Sequence, residues 1–319
     1  MEDSHARAAF LAERKEGLGG TDAAAILGVS KWATAYDVWL DKTGRKPERK
    51  DSSAMWWGRE LEELIAKRFM EERGAQVVKP SNTFRDRVSP FLLANPDRLH
   101  VNRPRGLEIK TASHYVAHEW GPSGSDEIPN AYLVQCQHYM MVTGLYVWDV
   151  AALIGGSDLR YYEIQADTEF IEHLRTRLSD WWELHIVRGE EPEIDGGQGA
   201  TEYVKRRFGL HGTERIRATT ADLGRVEELK RTRSALAELE VRETALMNQL
   251  KLRIGEAEGM DGSGWKISWR AAKGRLKTDW EAVARALAAQ SIGLEALPGY
   301  AEAYTTAGEP VRRFILTER

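Results

Sequence analysis

Residues 91–110 read FLLANPDRLHVNRPRGLEIK. Two short apolar runs, Phe91 to Ala94 and Leu107 to Lys110, have strand character and are set apart by Pro and Gly. Asp97 follows Asn95-Pro96, where a strand ends in a turn. Glu108 and Lys110 are two apart on a strand, so their side chains share a face. Ile109 points into the core, with its carbonyl at the edge of the site. Two acids meeting at a strand end can hold a hard divalent cation through oxygen ligands. A neighbouring lysine can orient an attacking water and favour its deprotonation, a combination suited to metal-assisted cleavage of a phosphodiester. The same spacing also fits a surface turn aspartate beside an exposed Glu/Lys pair.

Strands and helices alternate around this stretch. Upstream, residues 4–16 read as a short helix. The turn Gly17-Leu18-Gly19-Gly20 leads into a second helix through Leu27, with Thr21 or Asp22 as its cap. Tyr36 to Lys42 and residues 58–73 are helical, separated by a polar segment at 45–54 that contains Pro47. Gln76 to Val78 is a further short strand. Downstream, Ala131 to Val142 is helical, Tyr146 to Ile154 and Leu159 to Ile164 are strands, and 167–188 is a long helix. The result is a mixed α/β core, with a central mixed sheet flanked by helices.

A composition break near 189–200, EEPEIDGGQGA, separates a core at 1–190 from an appendage at 200–319. The appendage reads as one long helix over 220–255, a β-hairpin and a short final helix opened by the capping box Thr278-x-x-Glu281. The apolar stripe of the long helix is interrupted at Arg233 and Glu243. It is therefore expected to pack back on the core or against another helix rather than form a sustained coiled coil.

The 319 residues include 45 bases and 49 acids, and their 42% hydrophobic content describes a globular chain. The single cysteine, Cys136, excludes an intramolecular disulfide, a four-cysteine zinc site and a cysteine-held iron–sulfur cluster, and it fits a reducing cytosol. Cys136 itself reads as a small buried residue. The N-terminus mixes acids with bases and has no apolar stretch, so no signal peptide is expected. The uncharged run from Ala131 to Trp148 contains Gln135, Gln137 and His138, which favours a buried helix and strand over a membrane span. The charge is uneven: residues 200–319 carry +4 and the rest −8.

The motifs together resemble the PD-(D/E)XK nuclease superfamily, and within it the YqaJ-type viral recombinase family of phage lambda exonuclease. The resemblance rests on GLGGTDAAAILG at 17–28, WGRELE at 57–62, Asn95-Pro96-Asp97, Leu107-Glu108-Ile109-Lys110 and VQCQHYM at 134–140, in the family's order over about residues 10–185. It implies a restriction-endonuclease-like fold. By resemblance, Asp97 and Glu108 are the principal metal ligands together with the Ile109 carbonyl, and Glu62 helps form a second metal site. Glu60 and Glu63 share that helix and remain alternatives. Lys110 matches the catalytic lysine, and Gln135 the glutamine that contacts the reacting phosphate or water. Gln135 and Gln137 also admit a purely structural reading, as partners of buried backbone groups. Arg98 departs from the small residue the family often has there.

The implied activity is a Mg²⁺-dependent exonuclease, with Mn²⁺ as substitute metal. It would digest one strand of duplex DNA from 5′ ends, alongside a single-strand annealing protein and in some members as a trimeric ring. A phage or prophage protein in the bacterial cytoplasm is expected. An endonuclease of restriction or structure-specific type, and a catalytically idle DNA-binding adaptor, are the rival readings.

Candidate DNA contacts fall in two places. The first is the glycine-rich turn, with Arg14, Lys15, Gly19, Gly20 and Thr21, where backbone N–H groups suit a phosphate. The resemblance gives it the 5′ end; a tight turn packing two helices is the alternative. The second is a basic run, Lys266, Arg270, Lys273, Arg275 and Lys277, free of acids, which suits phosphates or a solvated face. Lys273-Gly274 is the expected hairpin turn there, and Trp265 and Trp269 are expected in a core. His114 and His118 read as a solvated or structural pair.

Overall fold

The computed structural model describes residues 10–46, 52–210, 213–263, 265–270 and 280–291. The chain forms two compact units, residues 1–209 and 210–319.

In the first unit, residues 10–15 are helical, followed by α1 (Gly20–Ile26), α2 (Ala35–Lys42) and α3 (Ser53–Arg73). Ser52 caps α3, and Gly74 ends it in the left-handed conformation at φ 57°. Short strands β1 (Val77–Val78), β2 (Phe84–Arg85), β3 (Leu93–Ala94) and β4 (Arg98–His100) precede the long β5 (Arg105–Ala112). Helix α4 (Asn130–Thr143) crosses to β6 (Val147–Ile154), which turns back through Gly155 and Gly156 into β7 (Asp158–Gln165). Helix α5 (Thr168–Trp182) runs into a π-helical turn, and α6 (Gln198–Arg207) closes the unit.

The central sheet has the order β1-β4-β5-β6-β7. Only the β5–β6 pair is parallel, as a crossover through α4 requires. The sheet is covered on both sides. Leu107, Ile109 and Ala151 pack against Ile65, Ala66 and Phe69 of α3. Val150, Ala152 and Trp148 face the larger core formed with α1, α2, α4 and α5. Buried on both faces, β6 has the near-continuous apolar character such a strand needs, whereas β5 breaks it with Glu108 and Lys110 on the α4 side.

Three expectations need revision in this unit. The run from Phe91 to Ala94 supplies only β3, which pairs with β2 outside the main sheet. The strand that joins β1 to β5 is β4, whose three residues include two basic side chains and so lack a strand signature. Residues 198–207 fold with the core: Tyr203 of α6 lies 6.1 Å from Tyr36 and 6.3 Å from Trp39 of α2.

The second unit consists of α7 (Thr220–Ile254), the antiparallel pair β8 (Gly259–Gly262) and β9 (Trp265–Ser268), and α8 (Trp280–Ser291). Helix α7 opens on a capping box between Thr219 and Asp222 and spans about 50 Å. Residues 231–250 are exposed, whereas Val226 and Leu229 are half-buried and Ile254 is buried. Caps and pairs such as Lys230–Glu227 support the helix locally. The hairpin differs from the expected one. Strand β9 pairs upstream, with Gly259 opposite Ser268, and Lys273-Gly274 lies outside the described residues. Trp265 and Trp269 stand half-exposed rather than in a core.

Candidate active site

The site forms where β4 begins beside β5. Asp97 immediately precedes β4, at the point where the β4–β5 ladder stops at Arg98–Leu107. Its Oδ2 takes over from the missing backbone partner and accepts the Ile109 N–H at 2.7 Å. This bond fixes the carboxylate against the middle of β5. Glu108 points to the α4 side, where Oε1 accepts from Lys110 Nζ at 2.5 Å and from Gln135 Nε2 at 2.7 Å. Gln135 also donates to the Tyr139 hydroxyl at 2.9 Å. Lys110 Nζ lies 4.9 Å from the centre of the Tyr132 ring.

One oxygen is left over. Glu108 Oε2 is buried and has no hydrogen-bond partner among the described residues. A buried carboxylate oxygen without a partner is costly. The electrostatics agree with that cost. Burial, then the Glu108 charge, holds the Asp97 carboxyl well above the usual carboxylate range. Burial also raises Glu108, against the opposing pull of the Lys110 ammonium. For Lys110, burial alone would lower the pKa, but the charges of Glu108 and Asp97 outweigh it and keep the ammonium form. A divalent cation bound by Asp97, Glu108 Oε2 and the Ile109 carbonyl would relieve the repulsion and use the spare oxygen. The donor set is all oxygen, which suits a hard ion.

The third acid is held elsewhere. Leu107 packs against α3, and Arg98, its partner across the ladder, shares that face. Buried Arg98 binds Glu62 Oε1 at 2.5 Å, Glu63 Oε2 at 2.7 Å and the Asp97 carbonyl at 2.6 Å. Lys79 adds a contact to Glu62 at 3.4 Å. The Glu62 charge still raises both Asp97 and Glu108. Among the described residues, no cluster of three His, Cys, Asp or Glu side chains is arranged to hold a metal. Of the candidate helix acids, Glu62 is the one turned inward, whereas Glu60 and Glu63 are exposed.

The two glutamines of α4 separate cleanly. Gln137 donates to the Gln165 carbonyl at 2.8 Å and accepts from the Asp167 N–H at 3.0 Å, the structural role weighed from sequence. Gln135 reaches Glu108. Tyr139 was not anticipated, although its i+4 spacing from Gln135 on one helix face carries the signal. His114 and His118 lie exposed on a 3₁₀ turn, and Cys136 is buried and free.

The glycine-rich turn lies against the same helix. Gly20 packs so closely on α4 that a Cβ there would stand 2.7 Å from Gln135 Cγ. The Gly19 N–H is taken by Asp22 Oδ2 at 2.9 Å. Arg14 donates to Thr21 Oγ1 at 3.2 Å, and Lys15 is exposed. Lys42, unforeseen from sequence, has its side chain buried and binds Asp22 at 2.7 Å and the Arg14 carbonyl at 2.8 Å. In the second unit, Lys266 lies 3.6 Å from Asp261 and Arg270 2.9 Å from Glu258, so both have local acidic partners. Lys273, Arg275 and Lys277 lie outside the described residues.

A mixed sheet that brings a buried acid, a half-buried acid and a lysine together beside one strand defines a class of site, and sequence comparison assigns the family. Residues 9–146 match the YqaJ-like viral recombinase domain. The protein described as uncharacterized protein YqaJ, from Bacillus subtilis (strain 168), is 34% identical over 265 residues, which is 82% of each chain. The chain belongs to the YqaJ-like viral recombinase family. Among solved structures, it is similar to an alkaline exonuclease (LHK-Exo) from Laribacter hongkongensis, at 20% identity and TM-score 0.44 over 62% of this chain and 96% of that one. It is also similar to a phage related exonuclease from Haemophilus somnus 129PT, at 16% identity and TM-score 0.42 over 55% and 96%. No helix among the described residues is long and apolar enough to cross a membrane.

Proposed function

We propose that this protein is a metal-dependent DNA exonuclease of phage type, acting on duplex ends with 5′-to-3′ polarity in the host cytoplasm. The observation that carries the reading is the buried Glu108 carboxylate. One of its oxygens is fixed by Lys110 and Gln135, and the other is left unpartnered beside Asp97. Membership of a viral recombinase family supports a nuclease. Mg²⁺, or Mn²⁺ in its place, would be held by Asp97, Glu108 and the Ile109 carbonyl, and would polarise a phosphate oxygen and acidify a bound water.

The chain's own groups have distinct tasks. The Ile109 N–H locks Asp97 in one orientation. Tyr139 and Gln135 lock Glu108, so that little reorganisation accompanies the reaction. Lys110, kept as an ammonium, donates hydrogen bonds to the attacking water or the scissile phosphate and stabilises charge as it develops. It does not serve as the base in this form. Arg98 holds Glu62 near the two acids. A single-strand annealing protein is the proposed partner in recombination, because the strand left by such digestion is its substrate.

The test uses linear and covalently closed circular duplexes with Mg²⁺, each strand labelled at its 5′ or 3′ end. Wild-type protein is expected to release 5′ nucleotides from the linear duplex and leave closed circles intact. Asp97→Asn and Glu108→Gln should each reduce cleavage by at least about 10³-fold while DNA binding persists. Nicking of closed circles would replace this reading with an endonuclease. Full activity in both variants would remove the site assignment.

A further inference from the structure

A cavity of about 720 Å³ opens at the C-terminal end of β5, entirely within the first unit. Thr111, which directly follows Lys110, lines it, as does Tyr132 at the start of α4. Lys31 and Trp32, from the loop between α1 and α2, line it too. A run of aromatic rings leads into this space. Tyr162 lies 5.5 Å from Trp120, Trp120 lies 5.4 Å from Tyr132, and Tyr132 lies 5.6 Å from Trp32. The last two rings are stacked at 28°. Burial falls along the run: Tyr162 and Trp120 are almost wholly buried, whereas Trp32 is 62% exposed.

An indole this open forgoes much of the free energy that its burial would supply. Its loop is nevertheless well fixed. Ser30 Oγ accepts the Trp32 and Ala33 N–H groups at 3.2 and 3.3 Å, and the Val29 and Ser30 N–H groups bind the Ala24 carbonyl. Lys31 pairs with Glu119, so the acid that lines the cavity is balanced and does not repel an anionic strand. A ring held in this way loses little freedom when a second ring is laid on it.

Position selects the ligand. Lys110 Nζ lies 4.9 Å from the Tyr132 ring, and that ring 5.6 Å from the indole. Two such steps match the reach from a backbone phosphate to the base of an adjoining nucleotide. Every base has a π-face, and an aromatic ring accepts it without regard to sequence. Inside a duplex both faces of a base are covered by its neighbours. An open indole beside the catalytic lysine is therefore reached by a base at an end, or by one already unpaired.

We propose that Trp32 is the stacking platform for the base of a nucleotide next to the scissile phosphate. The proposal rests on the nuclease reading and adds to it the form of the substrate, an unstacked terminal nucleotide.

The test pairs the indole with the base it would hold. Full-length wild type, Trp32→Ala and Trp32→Phe are given linear duplexes with Mg²⁺, and kcat/KM is measured for release of the first nucleotide. The duplexes carry ordinary bases, or one abasic nucleotide on either side of the first scissile bond. Trp32→Ala should cut the ordinary duplex about tenfold less well than wild type, and Trp32→Phe should retain most of the activity. An abasic end also frays, but equally for every variant, so the cycle reads only the difference between them. At one of the two positions, the ratio of ordinary to abasic kcat/KM should be about tenfold larger for wild type than for Trp32→Ala. Equal ratios at both positions would overturn the proposal, because a merely structural tryptophan is indifferent to the missing base. Wild-type cleavage of the ordinary duplex by Trp32→Ala would overturn it as well, and would leave the indole to a protein partner. Either result leaves the nuclease reading standing. Failure of wild type to cut any of the duplexes would instead remove that reading, and the platform with it.

Discussion

Arg98 is buried on the α3 side of the sheet, next to Asp97, and the structure gives it a task. Its guanidinium is buried and donates to two carboxylates and a carbonyl. Glu63 is too exposed for its bond to matter much, so the important pair is with Glu62. Removing Arg98 leaves Glu62 next to Asp97 and Glu108 with Lys79, 3.4 Å away, as a remaining cation among the described residues. Arg98→Ala should therefore lower stability by about 3 kcal/mol in urea unfolding. Mg²⁺ should recover part of that loss, because the ion binds only the folded site. His138 makes a second prediction at this scale. It is wholly buried, its Nε2–H donates to the Leu93 carbonyl at 2.9 Å, and burial depresses its pKa to about 4. Between the ordinary value near 6.5 and about 4, the unfolded chain binds a proton that the folded chain refuses. Stability is thus complete above about pH 6.5 and falls on acidification, by about 2 kcal/mol between pH 7 and 5. His138→Gln should flatten that part of a urea-unfolding pH profile.

At the scale of elements, the contact between α1 and α4 decides whether Gln135 is in place. Gly20 permits it: an added Cβ would lie 2.7 Å from Gln135 Cγ and 3.2 Å from its Cα and carbonyl oxygen. The backbone atoms cannot yield as a side chain does. Gly20→Ala should cost about 2 kcal/mol and slow cleavage by displacing Gln135, as read by thermal unfolding and single-turnover rates. Gly19→Ala is the control, since its nearest new neighbour would be 3.8 Å away. Here the sequence was partly legible. The run GLGG announced a tight turn before a helix, and its reading as a phosphate cradle coexisted with one as helix packing. The acids and lysine of the site were legible because strand periodicity fixes which side chains share a face. β4 was not, because pairing with β1 and β5, rather than its own composition, makes Arg98-Leu99-His100 a strand. The leucines of α7 were read correctly as a stripe, but a stripe records only that a face seeks cover, not where the cover comes from.

At the scale of the molecule, the candidate chemistry falls within the first of the two units. Every residue of the proposed site, from Glu62 to Tyr139, lies within residues 1–209, as do both clusters of the core around the central sheet. A fragment 1–209 is therefore expected to unfold cooperatively and to retain metal-dependent cleavage of linear duplex DNA. The composition break near 190 invites an earlier cut, and the packing argues against it. Tyr36 donates to Glu191 at 2.6 Å, and Ala200 and Tyr203 are buried against α2. Ending the chain at 190 uncovers Tyr36 and Trp39, both otherwise almost wholly buried, and removes the acceptor of a phenolic hydrogen bond. Loss of one large buried aromatic costs about 3–5 kcal/mol, a large share of the stability of a domain this size. Fragment 1–190 should thus melt well below 1–209 and lose cleavage in parallel with its folded fraction. Equal melting of the two fragments would show that α6 contributes nothing to the core. Loss of cleavage by a well-folded 1–209 would place an essential part of the activity in residues 210–319.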